Sequence, residues 1–115
     1  MLSVPAKVRI FLCTKPTDLR KGFDGLHGLV LEVLRQDPLS GDLFVFLNKR
    51  RDRLKLLVWE GDGWLVLYKR LESGTFAPPV AQEDSIALSS AQLALLLGGI
   101  DLRQTCQRKR YQRAG

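Results

Sequence analysis

The spacing of apolar residues changes along the chain, and each spacing predicts a different element. Over residues 7–13, Val8, Ile10 and Leu12 alternate with Lys7, Arg9 and Phe11, the period of a half-buried strand. Pro16 interrupts the alternation, and Thr17 followed by Asp18 predicts a helix start with a carboxylate at its positive end. Leu19, Phe23, Leu26, Val30, Val33 and Leu34 then recur at steps of three and four. At ~100° per residue they fill an arc about 100° wide, with Arg20, Lys21, Asp24, Glu32 and Arg35 outside it. This predicts an amphipathic helix to about Gln36. Gly22, Gly25 and Gly28 weaken its first turns by ~1 kcal/mol each relative to Ala.

Asp37-Pro38-Leu39-Ser40-Gly41 reads as a turn, and apolar runs follow at 43–48, 53–59 and 64–71. The connections NKRRD and EGDG are hairpin length, so an antiparallel meander of three strands is expected. Residues 72–84 carry Pro78-Pro79 and read as a loop. Ser89 with Gln92 forms a capping box for a short helix bearing Leu93, Leu96 and Leu97, stopped by Gly98-Gly99. The order is βαβββα: an α+β domain over residues 1–102, its main helix packed on one sheet face, with a flexible tail at 103–115.

If Glu60 pairs with Gly63, Trp59 faces Trp64, Leu57 faces Val66, Lys55 faces Tyr68 and Arg53 faces Arg70. Leu54, Leu56, Val58, Leu65 and Leu67 then share one face, expected to form the core under the first helix. The other face carries Arg53, Lys55, Trp59, Trp64, Tyr68 and Arg70. A four-residue loop at Lys49–Asp52 adds Phe44 and Phe46 to that second face, and a five-residue loop turns them into the core.

Charge sharpens this picture. The chain has 18 Lys plus Arg against 12 Asp plus Glu, a net charge of +6. Residues 1–100 hold 13 basic and 11 acidic side chains, net +2, and residues 101–115 hold five and one, net +4. The tail cations are Arg103, Arg108, Lys109, Arg110 and Arg113, and a second cluster, Lys49, Arg50, Arg51 and Arg53, sits between two strands. Aromatic rings stack on bases and cations hold phosphates, so the mixed sheet face suits single-stranded nucleic acid. Packing within the monomer, or a protein interface such as a homodimer contact, accounts for the same aromatics.

Several classes are excluded as expectations. No run approaches the ~20 apolar residues of a membrane span, and the opening MLSVPAKVR is short for a secretory signal. Cys13, Cys106 and His27 lie too far apart to read as a disulfide framework or zinc site, and the chain is expected in the cytoplasm. There is no P-loop or GxGxxG. Asp18, Asp37, Asp42, Asp52, Glu60 and Asp62 have local turn and loop roles, so no enzyme, metal or cofactor is expected.

The segments TDLRKGFDGL (17–26), DPLSGDLFVFLNKRRDRLKLLVWEGDG (37–63) and LYKRLESGTF (67–76) carry a family resemblance. From about residue 5 to 102 the chain resembles the TnpB-type accessory protein of the insertion-sequence family sixty-six transposons, distinct from the RNA-guided nuclease of the same name. The resemblance implies a factor needed for efficient transposition, encoded beside a separate DDE-type transposase, with no catalytic residues to carry over. The sequence meets the family pattern at Asp18, Arg20, Lys21, Asp24, Lys49–Arg53, Trp59, Lys69 and Arg70. It departs at Glu60, where Asp is expected, and near Leu102, where Trp is expected.

Two functions are therefore expected in competition. In the first, the protein binds transposon-end DNA or other nucleic acid through Arg20, Lys21, Lys49, Arg50, Arg51, Arg53, Lys55, Lys69, Arg70 and the tail residues Arg108, Lys109 and Arg110, with Trp59, Trp64 and Tyr68 stacking. In the second, it docks on the element's transposase without touching nucleic acid.

Overall fold

The first strand among the described residues lies inside the sheet, one place in from its edge, rather than at the margin. The structure is a computed structural model that describes residues 7–98. Its elements are β1 (Ile10–Cys13), α1 (Phe23–Leu29) running into a π-helical turn (Val30–Leu34), β2 (Leu43–Leu47), β3 (Arg53–Trp59), β4 (Trp64–Arg70), β5 (Ser85–Leu88) and α2 (Ser90–Leu97). The sheet order is β4-β3-β2-β1-β5. β1 and β2 are parallel, and every other neighbouring pair is antiparallel. The class is α+β, with two helices on a five-stranded sheet. The expected meander is present and the βαβββα order gains one strand, β5, which pairs along β1 where the sequence shows no clear alternation.

The first helix starts later than its pattern predicts. Thr17 does not cap it: this residue is buried and its N–H donates to Leu47 O at 2.8 Å, which extends the chain alongside β2. Asp18 instead organises a turn, accepting from Arg20 N at 3.0 Å while Lys21 N donates to Asp18 O at 3.1 Å. Gly22 becomes the N-cap. Gly22, which costs ~1 kcal/mol relative to Ala within a helix, sits at the break, and the Asp18 turn takes the chain before it, while Gly25 and Gly28 are accommodated inside the helix that forms. At the other end Arg35 adopts a left-handed backbone, φ 55°, and Gln36 N–H reaches back to Val30 O.

Both faces of the sheet are core, which corrects the expected packing. Leu54, Leu56 and Val58 lie under α2 and the 71–76 segment, in a cluster with Ile10, Leu12, Val45, Phe76, Leu93 and Leu96. The first helix covers the opposite face: Leu26, Val30 and Leu34 pack on Cys13, Phe44, Phe46 and Leu57, with Trp64 at the margin. The β2–β3 loop has four residues, because Asn48 closes against Arg53 and Phe46 lies opposite Lys55. Phe44 and Phe46 therefore share the face of Lys55 and Trp59, and they are also core, since that face is roofed by α1. The capping box on α2 is formed, with Gln92 N donating to Ser89 Oγ and Ser89 N to Gln92 Oε1.

One buried carboxylate stitches the parallel pair together. Asp42 accepts from Arg9 N and Arg9 Nη2, both at 2.9 Å, and from Ser40 Oγ at 3.0 Å. Burial pushes its carboxyl up, but the hydrogen bonds from Arg9 and Ser40 outweigh that and hold it below the usual range. A depressed native value makes this contribution complete above the unfolded value of about 3.9, and it is lost as pH falls through the native one. Asp42→Ala, which also orphans the Arg9 N–H, is expected to lower stability by about 1–3 kcal/mol at neutral pH. Urea melts at pH 7 and pH 3 check this: the difference between variant and wild type should shrink in acid.

Candidate nucleic-acid interface

The segment Pro16–Arg20 leans on the β2–β3 hairpin and leaves an open cleft of about 470 Å³ between them. Its walls are Pro16 to Arg20 on one side, Asn48, Lys49, Arg50 and Arg53 on the other, with Tyr68 at one end. The hairpin tip is braced rather than loose. Asn48 donates through Nδ2 to Asp52 at 2.7 Å and accepts through Oδ1 from Arg53 N at 3.0 Å. Arg51 turns the corner with a left-handed backbone, φ 59°, its N–H on Asn48 O and its carbonyl accepting from Phe76 N at 2.7 Å. Leu71 N donates to Asp52 O at 2.8 Å, so the tip is tied to the chain that follows β4.

Charge in the cleft is strongly one-sided. Asp18 is held by Arg20 through Nε at 2.9 Å and Nη2 at 2.8 Å, a two-pronged pair that neutralises both. Those bonds keep the Asp18 carboxyl far below the usual range. Asp52 is likewise lowered, chiefly by the Asn48 amide. Lys49, Arg50 and Arg53 have no ion-pair partner among the described residues. The cleft thus presents three cations outside any ion pair, with the Asp52 carboxylate acting on Arg50 and Arg53 from the hairpin tip, beside a phenol that is 53% exposed.

The structure divides the sequence-predicted residues. Lys55 joins the cleft's margin, its Nζ 5.6 Å above the Tyr68 ring and 3.4 Å from Lys21 O, which also brings Lys21 near. Arg70 lies opposite Arg53, and Glu72 pairs it at 3.1 Å, relieving the repulsion between two like charges. Arg51 leaves the group, lining a smaller pocket of about 110 Å³ with Leu12–Pro16 and Pro78–Ala81. Lys69 points to the other face, where its Nζ donates to Leu97 O at 2.6 Å. Arg108, Lys109 and Arg110 lie outside the described residues.

Trp59 and Trp64 are at the far end of the same face. Six residue steps along β3 separate Arg53 from Trp59, about 20 Å of strand. The two indoles touch each other with centroids 5.1 Å apart, and Trp64 meets the edges of Phe23 at 5.5 Å and His27 at 5.6 Å on α1. Both are half-buried. The aromatic-basic face is therefore two sites, a tryptophan pair under α1 and a basic cleft with Tyr68.

Asn48 is the organising residue that sequence reasoning passes over. Its signal was present, since Asn ahead of a tight loop hydrogen-bonds its own backbone. Asn48→Ala is expected to cost about 1 kcal/mol and to speed amide exchange at Arg51 and Arg53 while leaving β1 protected. Hydrogen exchange read by NMR would check it, and unchanged exchange at the tip would remove Asn48 from this role.

No group of three metal-ligating side chains occurs among the described residues, and no helix among them is long and apolar enough to cross a membrane. A small α+β module with a braced cationic hairpin is the class this arrangement defines. The chain belongs to the family described as IS66 Orf2 like protein, which matches residues 8–107. Its similarity to two proteins of Sinorhizobium fredii (strain NBRC 101917 / NGR234) is extensive. It is 40% identical to uncharacterized protein y4jC over 101 residues, 88% of this chain and 86% of that one, and 41% identical to uncharacterized protein y4hO over 115 residues, the full length of both. No solved structure matches. The family ties the chain to transposition, as an accessory protein of an insertion sequence.

Proposed function

We propose that this protein is a non-catalytic transposition factor that holds the backbone of single-stranded DNA in the cleft between Pro16–Arg20 and the β2–β3 hairpin. The observation that carries the reading is the trio Lys49, Arg50 and Arg53, outside any ion pair among the described residues and carried on a braced tip. Phosphates are held by cations not locked in ion pairs: Asp18 is paired with Arg20, and Asp52, whose charge acts on Arg50 and Arg53, is hydrogen-bonded to Asn48 rather than salt-bridged to them. Tyr68 supplies one ring for base stacking, worth about 1–3 kcal/mol where such contacts form. A single ring favours an unpaired strand over a duplex.

A non-catalytic role is supported by the state of Cys13 and of three carboxylates. Cys13 is buried in the α1-side core, and burial pushes its thiol up, away from the reactive thiolate. Asp18, Asp42 and Asp52 are each bonded to a partner that sets local structure.

Fluorescence anisotropy with labelled element-end DNA, single-stranded and duplex, tests the proposal over a salt series with the full chain and with a chain ending at residue 102. Salt-sensitive binding that prefers the single strand and survives the truncation supports it. Binding lost with the tail moves the activity to residues 103–115. No binding with either DNA, together with co-purification of the element's transposase, establishes the docking alternative in its place.

A further inference from the structure

We propose that β4 is the interface between two copies of this chain, joined edge to edge across a two-fold axis at Leu67. This inference shares Tyr68 with the nucleic-acid reading but does not rest on it, and it is tested without DNA. β4 is the sheet's outer strand on its side, seven residues long, and its middle is apolar and open: Val66 and Leu67 are each 37% exposed and Tyr68 is 53%. A long exposed strand edge is a template for another strand.

The pattern of free backbone groups selects a register. Glu60 N donates to Gly63 O, so the residues of β4 that exchange hydrogen bonds with β3 are Leu65, Leu67 and Lys69. The N–H and C=O of Trp64, Val66, Tyr68 and Arg70 therefore point outward. Antiparallel pairing with a second β4 centred on Leu67 sets Val66 against Tyr68 of the second copy and Trp64 against its Arg70. Those pairs satisfy every one of the outward groups. Centring one residue either way leaves some of them without a partner on the strand.

Side chains agree with this register. Lys69 lies against Leu65 of the second copy and Arg70 against its Trp64, so no cation faces another and Arg70 meets an indole. Val66 against Tyr68 is a favourable β-branched–aromatic pair. On the opposite face Leu67 borders an apolar groove of about 360 Å³ with Leu54, Leu56, Ala94 and Leu97, which the second Leu67 would help close. Charge argues against the chain's own tail as occupant, since Arg103, Arg108, Lys109, Arg110 and Arg113 would be set beside Lys69 and Arg70. β5, at the other edge, is only four residues long, and pairing it with β4 would propagate an open filament.

The two copies would form one continuous sheet with both clefts on the same side. The two Tyr68 residues would sit on a diagonal across the axis, roughly 7–8 Å apart by strand geometry.

Sedimentation equilibrium of the full chain reads the mass, expected at twice 13.0 kDa. Val66→Pro removes an outward N–H without breaking a β3–β4 hydrogen bond, and Val66→Lys places a charge at the centre. Both are expected to halve the mass while circular dichroism is unchanged. In a Cys106→Ser background, Leu67→Cys should oxidise to a disulfide-linked dimer, because directly opposed non-hydrogen-bonded residues are about 4.5 Å apart. Lys69→Cys should not. A monomeric wild type, a dimer indifferent to both Val66 variants, higher oligomers growing with concentration, or equal cross-linking at 67 and 69 would overturn the proposal. So would dimerisation that appears only after residues 103–115 are removed, because the tail would then be the occupant.

Discussion

Replacing Lys49, Arg50 and Arg53 together with Ala will weaken single-stranded DNA binding roughly 100-fold, about 1 kcal/mol for each charge-assisted contact removed. The salt dependence should change with it. Each phosphate neutralised on a single strand contributes about −0.7 to the slope of log K against log salt, so losing three contacts flattens that slope by about 2. A change of affinity with no change of slope would mean that these side chains do not meet phosphate. Arg51→Ala is the internal control, since Arg51 lines the separate pocket beyond the tip. It should leave both quantities nearly unchanged. Because the three side chains of the triple variant lie on or beside an exposed hairpin, folding should survive it, and the thermal midpoint is expected to move little.

Phe44→Ala is expected to cost about 3–5 kcal/mol, a large share of the ~5–15 kcal/mol that holds a typical domain together. Phe44 is wholly buried on β2, the central strand of the sheet, stacked near Phe11 at 6.0 Å and packed under Leu26, Val30 and Leu34. Removing its ring leaves a cavity between helix and sheet that neighbours on a central strand cannot fill. Trp64→Ala should cost less, because Trp64 is half-buried at the margin of the same cluster and its cavity opens to water. Urea denaturation of the two variants would compare them directly. A smaller loss for Phe44 than for Trp64 would mean that α1 is not the roof of this face.

The meander shows what local pattern can carry. Two-residue alternation in 53–59 and 64–70, with EGDG between them, leaves one register that puts leucines together, and Arg53 opposite Arg70 followed from it. The capping box at Ser89 and Gln92 is similarly local, since both partners lie within one turn. The first helix exposes the limit. Its apolar arc is real, yet the arc counts Leu19, which is buried from a non-helical turn, and Phe23, which is 40% exposed. Periodicity records which residues are apolar and not that the Asp18 turn and Gly22 hold the chain out of a helix until Phe23.

The candidate site divides along the same line. That Lys49, Arg50 and Arg53 are clustered was legible in the chain, because they are neighbours in sequence. Their convergence with Asp18, Arg20 and Tyr68 was not, since those residues come from a turn before α1 and from the far edge strand. The sequence alone determined the strand register of the β3–β4 hairpin, the capping box of α2 and the concentration of charge, all set by contacts a few residues apart, while the β2–β3 register was left between two loop lengths and chosen by the fold. Tertiary structure alone decided that β1 runs parallel to β2, that β5 joins it, and that α1 roofs the aromatic face. Those choices depend on burying two apolar sheet faces at once, and only the folded chain shows which helix covers which.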